Sequence, residues 1–377
     1  MDATPVSDER LIAKSGEYRA ASEALHRDTG AQDRNAENYR ALWDCGLADL
    51  IRNDFYDLFA FAADARGTLL DAGCGTGIET RNLARRVPGL RLYGVDISTV
   101  VLAGAVAGAG ADGPRFFQSA LETLPFPDAA FDYIGSHEVI EHVEDPSIVL
   151  PELCRVLKPG GVCVIATPNG ASLWVEHLRQ RVARLFGQRG APVGEDHVRP
   201  PGFWQREFQR AGFVVEQRIF DGAALEFLTY VAPARWMPAA ARLLEPLRIV
   251  PGINLLLCDR VKYRLRRPGQ PGATGDEPRA VCPLCHGALA VGPDAARCRD
   301  GHRFGYNGSG LVDFTFLLPA SPASPAEGGP RPVPVHRRWP RRLRRLALAA
   351  GCLAYVAFLA LLLPLGWAVG WRHQPLR

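Results

Sequence analysis

The stretch LLDAGCGTG, residues 69–77, narrows the choice of fold more than any other part of the chain. An apolar run ends in Asp71, and Gly73, Gly75 and Gly77 follow at alternate positions. Glycine has no Cβ, so the backbone can turn sharply there and come close to a ligand. An amphipathic segment begins at Ile78, and a helix starting there would aim its first N–H groups at whatever rests on the glycines. A dinucleotide loop would put its third glycine at position 78, where Ile78 stands instead. Asp96 closes the next apolar run, and about 20 residues on is where a carboxylate takes both ribose hydroxyls. A tight strand-to-helix turn without a ligand is the simpler reading of the same residues.

Around this loop, short apolar runs at 68–72, 91–96, 115–117, 131–136 and 161–166 alternate with longer amphipathic stretches. That alternation predicts an α/β fold, a parallel sheet flanked by helices, which runs at 213–220 and 255–262 would complete. Upstream, Leu42, Leu47, Leu50, Ile51 and Phe55 fall at helical spacings, so residues 1–66 read as a helical cap. Residues 67–266 form the main domain, 267–279 (RPGQPGATGDEPR) a Pro/Gly linker, 280–318 a cysteine module and 319–345 a Pro-rich linker with a basic run.

With the glycine loop, GVDIS (94–98), LPFPDAAFDYI (124–134) and VLKPGG (156–161) resemble the class I S-adenosylmethionine-dependent methyltransferases, in the order found there and over about residues 40–262. The resemblance implies a Rossmann-like sheet and S-adenosyl-L-methionine as cofactor. It places Asp71, Gly73, Gly75 and Gly77 against the methionine part, Asp96 on the ribose with Ile97 in the cofactor set, and Leu121 and Glu122 beside the adenine. Many relatives carry an aspartate facing the adenine amine where this chain has Ala120, so adenine contacts must come from backbone or from Glu122.

HEVIEHVEDP, residues 137–146, crowds two histidines and four carboxylates into ten positions after the fourth predicted strand, at the carboxyl edge where open α/β sheets bind ligands. Methyl transfer from a sulfonium needs in-line positioning and, for a hydroxyl acceptor, a group that removes or weakens its proton. Glu138, Glu141 and His142 stand at i, i+3 and i+4, so a helical turn would put them on one face able to hold a divalent ion such as magnesium. Without a metal, His137, Glu138 or His142 remain as acid–base groups, and Asp145-Pro146 reads as a helix cap in either case. The E-x-x-E-H pattern resembles the ubiquinone-biosynthesis O-methyltransferases and the small-RNA 2′-O-methyltransferases. Similarity to the latter around TPN (167–169) and EDHVRPPGFWQREF (195–208) nominates His197 as a fourth ligand.

Cys282, Cys285, Cys298 and His302 are spaced as C-x₂-C, twelve residues, then C-x₃-H. Two tight pairs separated by a hairpin-sized stretch suit a closed tetrahedral zinc site, and a module this short lacks the core to fold without a metal or disulfides. With CRDGHRF and GLVDF (310–314) it resembles the zinc ribbon of bacterial guanine-N1 rRNA methyltransferases, which keeps RNA open as a partner through Arg297, Arg299 and Arg303.

The first twenty residues are polar and predict no secretory signal, whereas 346–371 contains 26 residues without a charge, enough to cross a bilayer. Six of the nine residues from Arg337 to Arg345 are arginine. The net charge of +4 therefore owes much to this run and gives the main domain no nucleic-acid signature. Arginines ahead of the segment predict a single-pass anchor in the inner cell membrane with the catalytic domain in the cytoplasm. The resulting expectation is O-methylation of a membrane-associated acceptor, such as a quinone precursor or a lipid-linked glycan. The rivals are an RNA methyltransferase and an inactive, cofactor-binding membrane scaffold.

Overall fold

The computed structural model describes residues 19, 55–143, 145–172, 198–221, 250, 252–258, 260–270 and 277–317. β1 (Gly67–Ala72) lies inside a sheet whose first seven strands run in the order β6-β7-β5-β4-β1-β2-β3. The others are β2 (Leu90–Asp96), β3 (Arg115–Gln118), β4 (Phe131–His137), β5 (Leu157–Pro168), β6 (Val214–Asp221) and β7 (Arg260–Arg266). β1 pairs in parallel with β2 and β4, β2 with β3, and β4 with β5, while β7 runs antiparallel between β5 and β6. Parallel neighbours need crossovers. These carry α1 (Ile78–Arg86), α2 (Thr99–Ala107) and α3 (Pro146–Val156), with α4 (Pro201–Arg210) preceding β6.

Alternating side chains of β1 feed two cores, because successive residues of a strand face opposite sides. Leu70 joins Ile134, Ile165, Leu153 of α3 and Trp204 and Phe208 of α4 on one face. Leu69 joins Leu92, Val164, Phe55, Phe59 and Leu83 of α1 on the other. Helices on both faces make β1 and β4 the point where the strand order reverses, and the crevice at their carboxyl ends is the natural ligand position. At the start of α3, Asp145 caps as expected: its Oδ1 accepts from Ser147 N at 2.9 Å, with Pro146 opening the helix.

The last expected strand is displaced. Residues Ile253–Leu257 form a short helix, α5, and β7 starts at Arg260 rather than 255. A five-residue segment with four apolar positions fits either state by pattern. Here Asn169 Nδ2 donates to the carbonyls of Leu255 and Cys258, both at 2.8 Å, and so satisfies orphan carbonyls at the helix end.

The cysteine module is not a separate bead on a linker. Its strands β8 (Ala290–Val291), β9 (Ala296–Arg297), β10 (Arg303–Tyr306) and β11 (Val312–Leu317) are antiparallel to one another, and β11 pairs in parallel with β3 through Asp313 and Gln118. Among the described residues the sheet thereby reaches eleven strands, and the carboxyl end of β3's outer edge is paired rather than left as an open template. Phe117 packs against both the domain core and the module core of Phe304 and Phe314. Glu277 pairs with Arg115 at 2.9 Å, Val281 N donates to Pro125 O at 2.9 Å, and Arg19 pairs with Asp313.

Among the described residues no helix is long and apolar enough to cross a membrane. The segment 346–371, the basic run 337–345, the linker 319–335, His197 and all of the expected cap before residue 55 except Arg19 lie outside the described residues.

Candidate cofactor and acceptor site

β1 ends at the glycine loop, where the backbone must take conformations that L side chains rarely adopt. Gly73 has φ +84°, and a Cβ there would lie 2.4 Å from Val139 Cγ2. Gly77 has φ +67° and caps α1, and a Cβ there would lie 2.6 Å from Phe116 Cζ. Glycine is therefore required at both. Gly75 supplies a donor instead: its N–H donates to Asp96 Oδ2 at 2.8 Å. No side chain caps α1, so the helix start can present its N–H groups to a ligand.

Asp96 ends β2 opposite this loop. Its Oδ1 accepts from Ser98 N at 2.9 Å, and its main-chain oxygen accepts from Ser119 N at 3.1 Å. Two backbone donors, one on each oxygen, fix the carboxylate plane, and a carboxylate offers about four acceptor sites, enough to receive ribose hydroxyls as well. Asp71 sits behind the glycines, where Thr80 Oγ1 donates to its Oδ2 at 2.6 Å. Burial pushes its carboxyl up to about 7 despite that hydrogen bond, with Glu79 and Asp96 adding to the rise. Ala120 and Leu121 are buried and Glu122 is half-buried in the turn after β3. The expected cofactor residues thus gather along the carboxyl ends of β1, β2 and β3.

Residues 70–165 match the family described as methyltransferase domain. The chain carries a methyltransferase domain. Among curated relatives, this domain is similar to the ubiquinone biosynthesis O-methyltransferase of Psychrobacter cryohalolentis, 37% identical over 106 residues, which are 27% of this chain and 40% of that protein. It is also similar to the malonyl-[acyl-carrier protein] O-methyltransferase of Pectobacterium atrosepticum, 30% identical over 177 residues, 47% of this chain and 63% of that one. The chain spans 37%, 56% and 40% of the lengths of three curated relatives that it matches. A solved S-adenosylmethionine-dependent methyltransferase from Mesorhizobium loti aligns with 57% of this chain and 97% of its own, at 20% identity and TM-score 0.41.

The second group of candidate residues begins where β4 ends. His137 lies edge-on to Phe55 with ring centroids 4.9 Å apart. Glu138 has φ +56° and its Oε1 accepts from Arg260 Nε at 3.0 Å. The chain then closes a turn in which His142 N donates to Val139 O at 2.9 Å. This corrects the expected helical face. Residues 138–142 are not helical, Glu141 is buried, Glu138 is half-buried and His142 is exposed. Glu138, Glu141 and His142 do not converge as a metal-binding group among the described residues. Glu141 Oε2 instead accepts from Thr167 Oγ1 at 3.2 Å, and burial, then the neighbouring charge of Glu138, pushes its carboxyl up to about 8.

The ribbon residues do converge. Ligand atoms of Cys282, Cys285, Cys298 and His302 all lie within 4.8 Å of one another. His302 Nδ1 is 3.5 Å from Cys282 Sγ and 3.3 Å from Cys298 Sγ. His286 N donates to Cys282 O at 2.8 Å and Gly301 N to Cys298 O at 3.2 Å, so Cys282–Cys285 and Cys298–His302 each sit on their own turn. Three sulfurs and one imidazole nitrogen at this spacing suit a tetrahedral ion.

Sequence reasoning missed Thr80, Arg260, Gln118 and Asn307. Thr80 is the third residue of α1, and only the turn of the glycine loop brings it back to Asp71. Arg260 opens a strand with no local motif, so only the fold brings it to Glu138.

Proposed function

We propose that the chain binds S-adenosyl-L-methionine, transfers its methyl group to a hydroxyl of a membrane-associated acceptor, and holds one structural zinc in its ribbon. The observation that carries the cofactor assignment is the Asp96 carboxylate, held by Gly75 N–H and Ser98 N–H beside the glycine loop. The cofactor supplies an activated methyl group on a sulfonium. Asp96 orients the ribose, Asp71 and the glycine loop receive the amino-acid part, and the turn at Leu121 and Glu122 borders the adenine.

On the acceptor side, His137 and His142 are the bases near the end of β4, while the Arg260–Glu138 pair fixes the wall between β4 and β7. One of these imidazoles would take the proton of the acceptor's hydroxyl as its oxygen receives the methyl group that the bound cofactor would supply. Correct in-line placement carries most of the rate, with proton removal adding about 10²–10⁴-fold, as general bases do.

O-methylation draws support from the two relatives named as O-methyltransferases. A membrane-associated acceptor, such as a quinone precursor or lipid-linked glycan, draws support from the uncharged segment 346–371, because an anchor raises the effective concentration of an acceptor in the bilayer. The test is to incubate full-length enzyme and methyl-labelled cofactor with membranes and total RNA, then extract with organic solvent. Label in the lipid phase supports the proposal. Label confined to nuclease-sensitive material would assign RNA instead, and cofactor binding without label in either would leave a scaffold.

A further inference from the structure

Gln118 is fully buried at the junction of the methyltransferase domain and the ribbon. Its Nε2 donates to Ile97 O at 3.1 Å and Thr99 Oγ1 at 2.9 Å. Its Oε1 accepts from Asn307 Nδ2 at 2.7 Å. The orientation of both amides follows from the ribbon turn. Asn307 Oδ1 already accepts from Ser309 N at 2.8 Å and Leu311 N at 3.0 Å, so only its NH₂ can face Gln118. Gln118 must then present its oxygen to the ribbon and its NH₂ to the loop after β2.

That loop is the one that sets Asp96. Ile97 and Ser98 follow it directly, and Ser98 N–H holds Oδ1. Leu311, at the end of the ribbon turn, packs against the buried cluster of Cys74, Leu102, Ala105 and Phe116. An unbroken path therefore runs from the ribbon turn through Asn307 and Gln118 to the ribose-binding carboxylate.

We propose that Asn307 is a positioning residue for the cofactor site: through Gln118 it fixes the Ile97–Thr99 loop and hence the aim of Asp96 at the ribose. This rests on the cofactor reading given above. The ribbon is then a built-in part of the cofactor pocket, and its edge pairing with β3 has a consequence beyond covering the strand. Asn307→Asp keeps the Oδ1 that the turn needs and replaces the donor to Gln118 with a second, charged acceptor oxygen. Leaving a buried acceptor unmatched in this way is expected to weaken cofactor binding about tenfold.

The experiment is calorimetric titration of the full-length chain with S-adenosylhomocysteine and with its 2′-deoxyribose analogue, for wild type, N307D, Q118M and the double variant, with metal content measured on each. The expected result has four parts: Kd for S-adenosylhomocysteine about tenfold weaker in N307D; a smaller ratio between the two ligands, because the defect lies at the ribose; metal content unchanged; and the double variant no weaker than Q118M alone. A ligand ratio equal to that of wild type, or effects that multiply in the double variant, would overturn the proposal. Should N307D lose its metal, Q118M, which leaves the ribbon residues untouched, decides alone: wild-type affinity there overturns it as well. Absence of binding by the wild-type chain would sink the cofactor reading itself, a result distinct from these.

Discussion

Thr80 Oγ1 donates to Asp71 Oδ2 across 2.6 Å, from the first turn of α1 back to the end of β1. The bond ties helix to strand behind the glycine loop, yet burial still holds the Asp71 carboxyl up at about 7, above its ordinary value of 3.8. A carboxyl there is partly protonated at neutral pH, and a cationic amino group of an incoming cofactor would favour its charged form.

Cofactor affinity should therefore depend on pH. Below about 7 binding must displace a proton from Asp71, so affinity is expected to rise with pH up to that point, approaching tenfold per pH unit on the acid side, and then level off. Asp71→Asn should bind more weakly and lose that slope. Calorimetric titrations with S-adenosylhomocysteine between pH 5.5 and 8.5, a span of about 1.5 units each side of that value, check this. A wild-type slope retained in the variant would assign the proton elsewhere.

Glu141 gives a second pH effect, on stability. Its folded carboxyl titrates at about 8 against an ordinary 4.5, because burial and Glu138 disfavour the charge. The folded chain thus keeps a proton that the unfolded chain releases. The stabilisation is fully present below the ordinary value and is lost as pH rises through about 8. Glu141→Gln stays neutral throughout, so its stability relative to wild type should grow across that window by up to about 1.4 kcal/mol per pH unit. Urea midpoints at several pH values read the difference directly, and parallel curves for the two proteins would contradict it.

How much of this was legible in the sequence depends on the range of the contact. The glycine loop and Asp96 could be read because a strand, a sharp turn and a helix start are local events with a fixed spacing. The cysteine set was legible for the same reason, since each pair sits within one turn. The E-x-x-E-H face failed because spacing alone assumed a helix, whereas Glu138 takes φ +56° and the next residues close a turn. The strand expected at 255 failed because the five residues after Gly252, four of them apolar, carry no period long enough to separate helix from strand. Gln118 and Asn307 are 189 residues apart, and no local pattern announces that a ribbon strand will extend the sheet.

The ribbon itself should depend on metal. Purified protein is expected to carry about one zinc per chain, the stoichiometry of a closed four-ligand site. Cys285→Ser should lose it together with the order of β8 to β11, because a module this small cannot fold on its core alone. Elemental analysis with hydrogen exchange on residues 277–317 tests both. Exchange on β3 should rise too, since β11 covers that edge. A protected ribbon without metal would contradict the assignment.

The central claim is that Asp96 and the glycine loop bind S-adenosylmethionine. It is tested most directly by titrating the full-length chain with S-adenosylhomocysteine in a calorimeter, wild type beside Asp96→Ala. The account predicts saturable one-to-one binding by wild type and affinity at least about a hundredfold weaker in the variant, as expected when a carboxylate paired to two ribose hydroxyls is removed. No heat from wild type, or equal affinity in the two proteins, would contradict it.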